Sequence, residues 1–347
     1  MVNFGIVGIG FMGMIHYQAA QRVRGAKVRA ICTRDPKKLA GDWRGIQGNF
    51  GPPGEQMDLR GVSAYDDFDK LLADPAIDVV DLCLPPDLHA EAAIKAFKAG
   101  KHVFCEKPIA VAPAEAARMV KAAHAAGKQL LIGHVLPFFA EYEFARRAVE
   151  RGKFGRLWGG HFKRIISDPL WLADFWNPHK TGGPLVDLHI HDAHFIRLVC
   201  GQPKAVFSRG RVRDGVVQYA TTQFLFDEPQ LAVSSATGAL DQQGRGFTHG
   251  FELYLEKATL LYDFAVVDGQ PMACMPLTVL HKNGKVERPA LPAGDHLTAF
   301  TAEISEVTRA LRTGTPSPLL DGGLARDALI LCQRQASSVT QGKLIKV

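Results

Sequence analysis

From Val2 to Gly133 the hydrophobic positions alternate between two periods. Short β-rich runs, NFGIVG (3–8), KVRAIC (27–32), DVVDLCL (78–84), KHVFCE (101–106) and QLLIG (129–133), are separated by alanine-rich amphipathic stretches such as 87–99 and 113–126. Strands separated by helices predict a parallel sheet covered on both faces. One segment breaks the rhythm: GDWRGIQGNFGPPGEQMDLRG (41–61) is a glycine- and proline-rich loop, and loops of that length in compact domains are usually functional or mobile.

Beyond a helix near 138–151 the pattern changes. GRLWGGHFKRII (155–166), AVFSRGRVR (205–213), VVQYATTQFLF (216–226), LAVSSATGA (231–239), GFELYLEKATLLYDFAV (250–266) and PLTVLH (276–281) read as antiparallel strands joined by polar turns. A helix near 184–200 interrupts them, and helices near 295–312 and 321–340 close the chain. The expected architecture is α/β: a Rossmann-type doubly wound parallel sheet over 1–133, then an α+β domain over 134–347 with an open, mostly antiparallel sheet. The C-terminal helix is free to pack back on the first domain.

Composition narrows the classes. At 347 residues the chain is long enough for two cores, and 47% apolar with 22% charged residues is ordinary for a globular protein. The net charge of +6 is not gathered in one stripe; the densest basic run, 146–164, is broken by glycines and acids, which argues against nucleic-acid binding. The six cysteines lie far apart without a CxxC pair, as expected of reduced residues in a cytoplasmic protein. The apolar N-terminus lacks a basic region and is interrupted by glycines, so neither a signal peptide nor a membrane span is expected.

Gly8-Ile9-Gly10-Phe11-Met12-Gly13 follows the first strand and opens a helix. Its glycines permit a tight turn, close approach of a pyrophosphate and close helix packing, while the helix start favours anionic charge. At the end of the second strand an acidic residue would bond the ribose hydroxyls of NAD. AICTRDP instead offers Thr33 and Arg34, a hydroxyl and a guanidinium suited to a 2′-phosphate. Asp35 falls one or two residues beyond that position, so NADP(H) is favoured slightly over NAD(H). The 41–61 loop is placed to close over the adenine and alter that balance.

Glu106-Lys107-Pro108 ends a parallel strand, at the edge where open α/β sheets bind ligands. With the glycine turn and the preceding CLPPDLHAEAAIKAFKAGKHV, it closely resembles the glucose–fructose oxidoreductase, inositol dehydrogenase and MocA family. The resemblance covers nearly the whole chain. It implies that Pro85, Pro86 and His89 form the loop beside the nicotinamide ribose and that Glu106 bonds that ribose. It also implies that Lys107 contacts the reacting hydroxyl, that Pro108 is cis, and that Asp187 and His191 are the aspartate and the acid/base residue.

DLHIHDAHF (187–195) concentrates three histidines and two aspartates. Read as one helix entered at Gly183-Pro184 and closed by Gly201, at about 100° per residue, it brings Asp187, His191 and His194 within roughly 60° and turns His189 and Asp192 elsewhere. A metal-binding HxH pair (His189, His191) needs a strand; no metal is expected. His189, His194 and Pro137 depart from the family pattern, so the family's substrates do not transfer directly. His134, Lys163, Trp176 and His194 are candidate substrate residues, with His161, Arg164, Trp171 and His179 near them in sequence.

The expected activity is hydride transfer between nicotinamide and a secondary alcohol or ketone of a sugar, polyol or derivative. Histidine suits proton transfer near neutral pH, and a lysine ammonium suits a developing alkoxide. The alternatives are a redox-neutral NAD-dependent glycosidase and a non-catalytic dinucleotide sensor, the latter disfavoured by Lys107, Asp187 and His191 together. A homodimer or homotetramer is expected, because an open sheet offers an apolar outer face.

Overall fold

The computed structural model describes residues 1–48 and 50–347; Asn49, in the 41–61 loop, lies outside the described residues. The chain divides into two units, Met1–Phe138 with Ala293–Arg326, and Phe139–Pro292 with Asp327–Val347. Residues 293–326, which a division at 133/134 would give to the second domain, belong to the first unit.

In the first unit β1 (Val2–Val7), α1 (Phe11–Gln21), β2 (Ala26–Cys32), α2 (Pro36–Leu39), β3 (Ser63–Tyr65), α3 (Phe68–Ala73), β4 (Val79–Leu82), α4 (His89–Lys98), β5 (His102–Glu106), α5 (Pro113–Ala126) and β6 (Leu130–Gly133) follow one another. The sheet order is β3-β2-β1-β4-β5-β6, with every pair parallel. The largely apolar character of these strands follows from burial on both faces: every residue of β4 and β6 is buried, Asp81 of β4 included. β3 and the short α2 and α3 were not legible from periodicity, being three, four and six residues long. Trp43 anchors the 41–61 segment to the first unit. Trp43 is fully buried, donates its indole N–H to the Lys38 carbonyl at 2.9 Å and meets Tyr17 edge-on at 5.0 Å.

The second unit contains α6 (Ala140–Glu150), β7 (Leu157–Ser167), α7 (Gly183–Asp187), α8 (Ile190–Cys200) and the strands β8 (Ala205–Arg213), β9 (Val216–Leu225), β10 (Ala232–Leu240), β11 (Arg245–Leu255), β12 (Ala258–Val267), β13 (Gln270–His281) and β14 (Val286–Glu287). α9 (Thr298–Thr313) returns to the first unit, α10 (Gly322–Gln341) carries residues of both, and β15 (Ile345–Lys346) ends the second. The nine-stranded sheet runs β14-β13-β12-β11-β7-β10-β9-β8-β15 and is antiparallel except for β7 with β10.

Strand alternation divides this sheet into two faces. Phe162 meets Phe195 of α8 at 6.1 Å, and Arg164 bonds Asp192 of α8. On the same face the Thr222 hydroxyl donates to Gln335 of α10 at 2.9 Å and accepts from the Ser208 hydroxyl at 2.8 Å. The opposite face carries exposed Phe207, Leu225, Tyr254 and Leu280. Among the described residues no helix is long and apolar enough to cross a membrane, and all six cysteines are free.

Candidate active site

The six parallel strands of the first unit end at one edge. At the end of β1, Gly8 has φ +93°, and a Cβ there would lie 2.4 Å from the Cys83 carbonyl oxygen. A Cβ on Gly13 would lie 2.2 Å from the Gly8 oxygen, so α1 and the turn touch through backbone alone. Gly10 is different: nothing comes within 4 Å of where its Cβ would be. It begins α1 without a side-chain cap, which leaves the first N–H groups of the helix facing open space. This is a cradle shaped for a pyrophosphate, with half-buried Phe11 and Met12 as its next residues. Phe50 of the long loop sits edge-on to Phe11 at 4.7 Å.

The cradle yields a contrast between two alanine variants. Gly10→Ala is expected to fold with little change in melting temperature and to weaken dinucleotide binding about tenfold, or ~1.4 kcal/mol. Gly13→Ala must push backbone from backbone, so thermal melting and fluorescence titration should both register a loss.

At the end of β2, Thr33 is half-buried and Arg34 exposed. The Asp35 carboxylate accepts the Lys37 N–H at 2.9 Å and caps α2, which commits it to the turn. Beyond β4, Pro85 and Pro86 lead into a single 3₁₀ turn over Pro86–Leu88. His89 is fully buried, with Nδ1 2.9 Å from the Pro108 carbonyl and Nε2 2.8 Å from that of Leu84. Burial pushes this imidazole below its ordinary value, so the neutral ring donates to one carbonyl at a time. His89 therefore serves the nucleotide edge through the loops it ties, not through a free ring nitrogen.

At the end of β5, Glu106 is buried, Lys107 half-buried, and the Lys107–Pro108 bond is cis. The Glu106 carboxylate accepts the Lys107 backbone N–H at 3.1 Å. Its other oxygen lies 3.0 Å from Nε2 of His16 on α1. His134, just after β6, is wholly buried.

Sequence reasoning missed the group beneath this edge. His16 Nδ1 lies 3.0 Å from Asp81 of β4, and the Cys83 thiol sits 3.4 Å from the same nitrogen. Burial opposes a charged imidazole here, but Asp81 and Cys83 together hold His16 well above its ordinary value. Glu303 of α9 is wholly buried beside them. The available signal was a histidine on the apolar face of α1 and an aspartate inside VVDLCL, since buried ionisable groups need partners. His16, Asp81 and Cys83 have donor atoms within 4.8 Å of one another. Burial nevertheless pushes the Cys83 thiol far up, away from the thiolate that metals bind.

In the second unit, the single helix expected from 183 to 201 is interrupted. α7 ends at Asp187 and α8 begins at Ile190. The Pro184 carbonyl accepts N–H groups from both Leu188 (3.1 Å) and His189 (2.9 Å), which widens the turn between them. Uniform 100° steps therefore do not apply across it. Asp187 and His191 are both half-buried, whereas His189, Asp192 and His194 are buried. His189 lies 3.6 Å from Asp192, which forms a two-pronged pair with Arg164 at 2.7 and 3.0 Å. His189 and Asp192 thus belong to the core, and the HxH pair is split between core and surface.

Two candidate substrate residues are corrected. Lys163 lies on the sheet face opposite α8, because it alternates with Phe162 and Arg164, and it pairs there with Asp263 at 2.8 Å; His161 shares that face and meets Ser234 at 3.0 Å. Trp176 anchors its own loop: the indole donates to Asp168 at 2.9 Å while Arg213 bonds Asp168 and lies 4.5 Å above the ring.

Residues 2–134 match the family profile described as "Oxidoreductase family, NAD-binding Rossmann fold", and residues 142–261 match "GFO/IDH/MocA C-terminal domain". The chain belongs to this family. Among curated relatives of this Gfo/Idh/MocA chain, a 2,7-anhydro-N-acetylneuraminate hydratase of Escherichia coli K12 is 31% identical over 58% of this chain and 50% of its own length. A myo-inositol 2-dehydrogenase of Thermotoga maritima is 28% identical over 76% of this chain and 75% of its own. The chain thus spans half the length of the first relative and three quarters of the second. A solved levoglucosan dehydrogenase complexed with NADH and L-sorbose shares the fold, with a TM-score of 0.79, 20% identity, and coverage of 100% of this chain and 99% of that one.

Proposed function

We propose that this member of the family is an NAD(P)-dependent oxidoreductase that moves a hydride between nicotinamide and a secondary alcohol or ketone of a sugar, polyol or derivative. The observation that carries this reading is the joint placement of an open glycine cradle and Glu106-Lys107-Pro108 at the C-terminal edge of one parallel sheet. The inositol dehydrogenase relative supports the substrate class.

A bound nicotinamide supplies the hydride acceptor in oxidation and the donor in reduction. Gly8, Gly10, Phe11, Met12 and Gly13 hold the pyrophosphate, Pro85 and Pro86 border the nicotinamide ribose, and Glu106 accepts from that ribose. In oxidation, Lys107 donates a hydrogen bond to the substrate oxygen and stabilises negative charge as the C–H bond breaks. His191 takes the hydroxyl proton, and Asp187 orients it. His134 and His194, both buried, are the further residues proposed to act on substrate binding.

NADP(H) is the preferred coenzyme on this reading, because Thr33 and Arg34 end β2 while Asp35 is spent on its helix cap. Arg34→Ala should weaken NADPH binding by about tenfold and leave NADH binding unchanged. Dissociation constants for both reduced coenzymes check this.

Incubation with either dinucleotide and a panel of sugars and polyols tests the activity, with net change in nicotinamide absorbance as the expected result. The hydratase relative favours a second reading in which the redox change is transient. Product formation without net absorbance change would establish it. The exposed apolar residues on the outer face of the large sheet support a homodimer or homotetramer, measurable by sedimentation.

A further inference from the structure

His16 has both ring nitrogens facing carboxylates, Asp81 at 3.0 Å from Nδ1 and Glu106 at 3.0 Å from Nε2. The ring is fully buried, stacked on Phe104 at 5.1 Å and tilted against Phe300 at 6.3 Å. Cys83 and Glu303 complete its surroundings. Neither carboxyl oxygen of Glu303 has a hydrogen-bond partner among the described residues. Burial, and then the charge of Glu106, pushes Glu303 well above its ordinary value. Nδ1 is hydrogen-bonded to Asp81, whereas Nε2 faces Glu106 at ion-pair distance outside hydrogen-bond geometry, a contact that a cationic ring makes favourable.

We propose that His16 is a positioning residue for Glu106: held by Asp81 at Nδ1, its ring presents Nε2 to the Glu106 carboxylate and keeps that carboxylate turned along the edge of the sheet, with Glu303 beside it. The inference rests on the reading that this edge holds a nicotinamide dinucleotide. The glycine turn takes the pyrophosphate and the end of β2 the adenosine ribose, so the nicotinamide half falls over β4, β5 and β6. An ionised Glu106 is an acceptor with all its lone pairs available to ribose hydroxyls and to the Lys107 N–H; a protonated one gives part of that capacity away. The arrangement places one imidazole ring among Asp81, Glu106, Cys83 and Glu303.

Nitrogen NMR of the His16 ring in the ligand-free wild-type protein tests the charge directly. Two protonated ring nitrogens at neutral pH are expected, and a neutral ring overturns the proposal. Fluorescence titration with NADH and NADPH from roughly pH 6 to 9 supplies the functional arm. Wild type should bind with constant affinity, and Glu106→Gln should bind about tenfold more weakly throughout. His16→Gln should approach wild type at the alkaline end and fall to the Glu106→Gln level at the acid end, because a buried carboxylate without its cation is easier to protonate. Asp81→Asn should show the same slope and serves if His16→Gln does not fold. A constant offset across pH in these variants means that His16 only fills space, and overturns the proposal. Failure of wild type to bind either dinucleotide sinks the coenzyme reading instead, while the NMR result still decides the state of His16.

Discussion

Lys107→Ala is expected to lower kcat/KM by about 10³-fold or more while the coenzyme Kd changes less than about threefold. The side chain is half-buried, and its backbone is held on both sides: Glu106 accepts its N–H and His89 binds the carbonyl of Pro108. Truncation at Cβ therefore leaves the backbone of the loop held and removes the side chain that carries the ammonium. If that group meets the substrate oxygen as charge develops, its loss appears in the chemical step and not in coenzyme binding. Lys107→Arg should not rescue, because a planar guanidinium does not occupy the position of a compact ammonium. Steady-state kinetics beside coenzyme titration measure both quantities. A Lys107→Ala enzyme with more than a tenth of wild-type turnover would remove the residue from the chemistry.

The largest effect on stability is expected in the second unit. Arg164 and Asp192 are 3% and 1% exposed and bonded through both prongs. Arg164→Met leaves Asp192 buried without its cation and should cost about 3–5 kcal/mol, whereas Arg164→Met with Asp192→Leu should recover most of that loss. Denaturant unfolding of the two variants and wild type completes the comparison. The pair also has a pH signature. Burial opposes the ionised carboxyl, but Arg164 and His189 together hold Asp192 below the ordinary carboxylate value. A group depressed in the folded state contributes stability that is present above its unfolded pKa, about 3.9, and lost as pH falls through the folded value. The stability difference between wild type and the double variant should therefore be flat near neutrality and shrink in acid. A difference that stays constant down to acid unfolding would show that the pair adds nothing through its charge.

Much of the candidate site was legible because its pieces are local. The glycine turn, the Glu106-Lys107-Pro108 element and the proline pair at 85–86 each lie within a few residues of a strand end, and parallel strands deliver their ends to one edge. The segment 187–195 was legible only in part. Uniform helical spacing put His194 beside Asp187 and His191, but the doubled hydrogen bond at Pro184 widens the turn, and His194 is buried while the other two remain half-exposed. Lys163 and Arg164 both stood among the candidates around this helix in sequence, and strand alternation sends the two side chains to opposite faces.

Hydrophobic periodicity by itself determined the order of strands and helices and hence a parallel sheet followed by an antiparallel one, because burial on one or two faces imposes the period directly on the chain. Turn chemistry determined where a pyrophosphate fits, because only glycine tolerates those backbone approaches. The partnership of His16 with Asp81, Glu106 and Glu303 was decided by the tertiary structure alone. Those residues come from a helix, two strands and a helix late in the chain, and no local rule relates them. What joins them is the cost of burying a charge, which is met only once the fold has placed the opposite charge within hydrogen-bond reach.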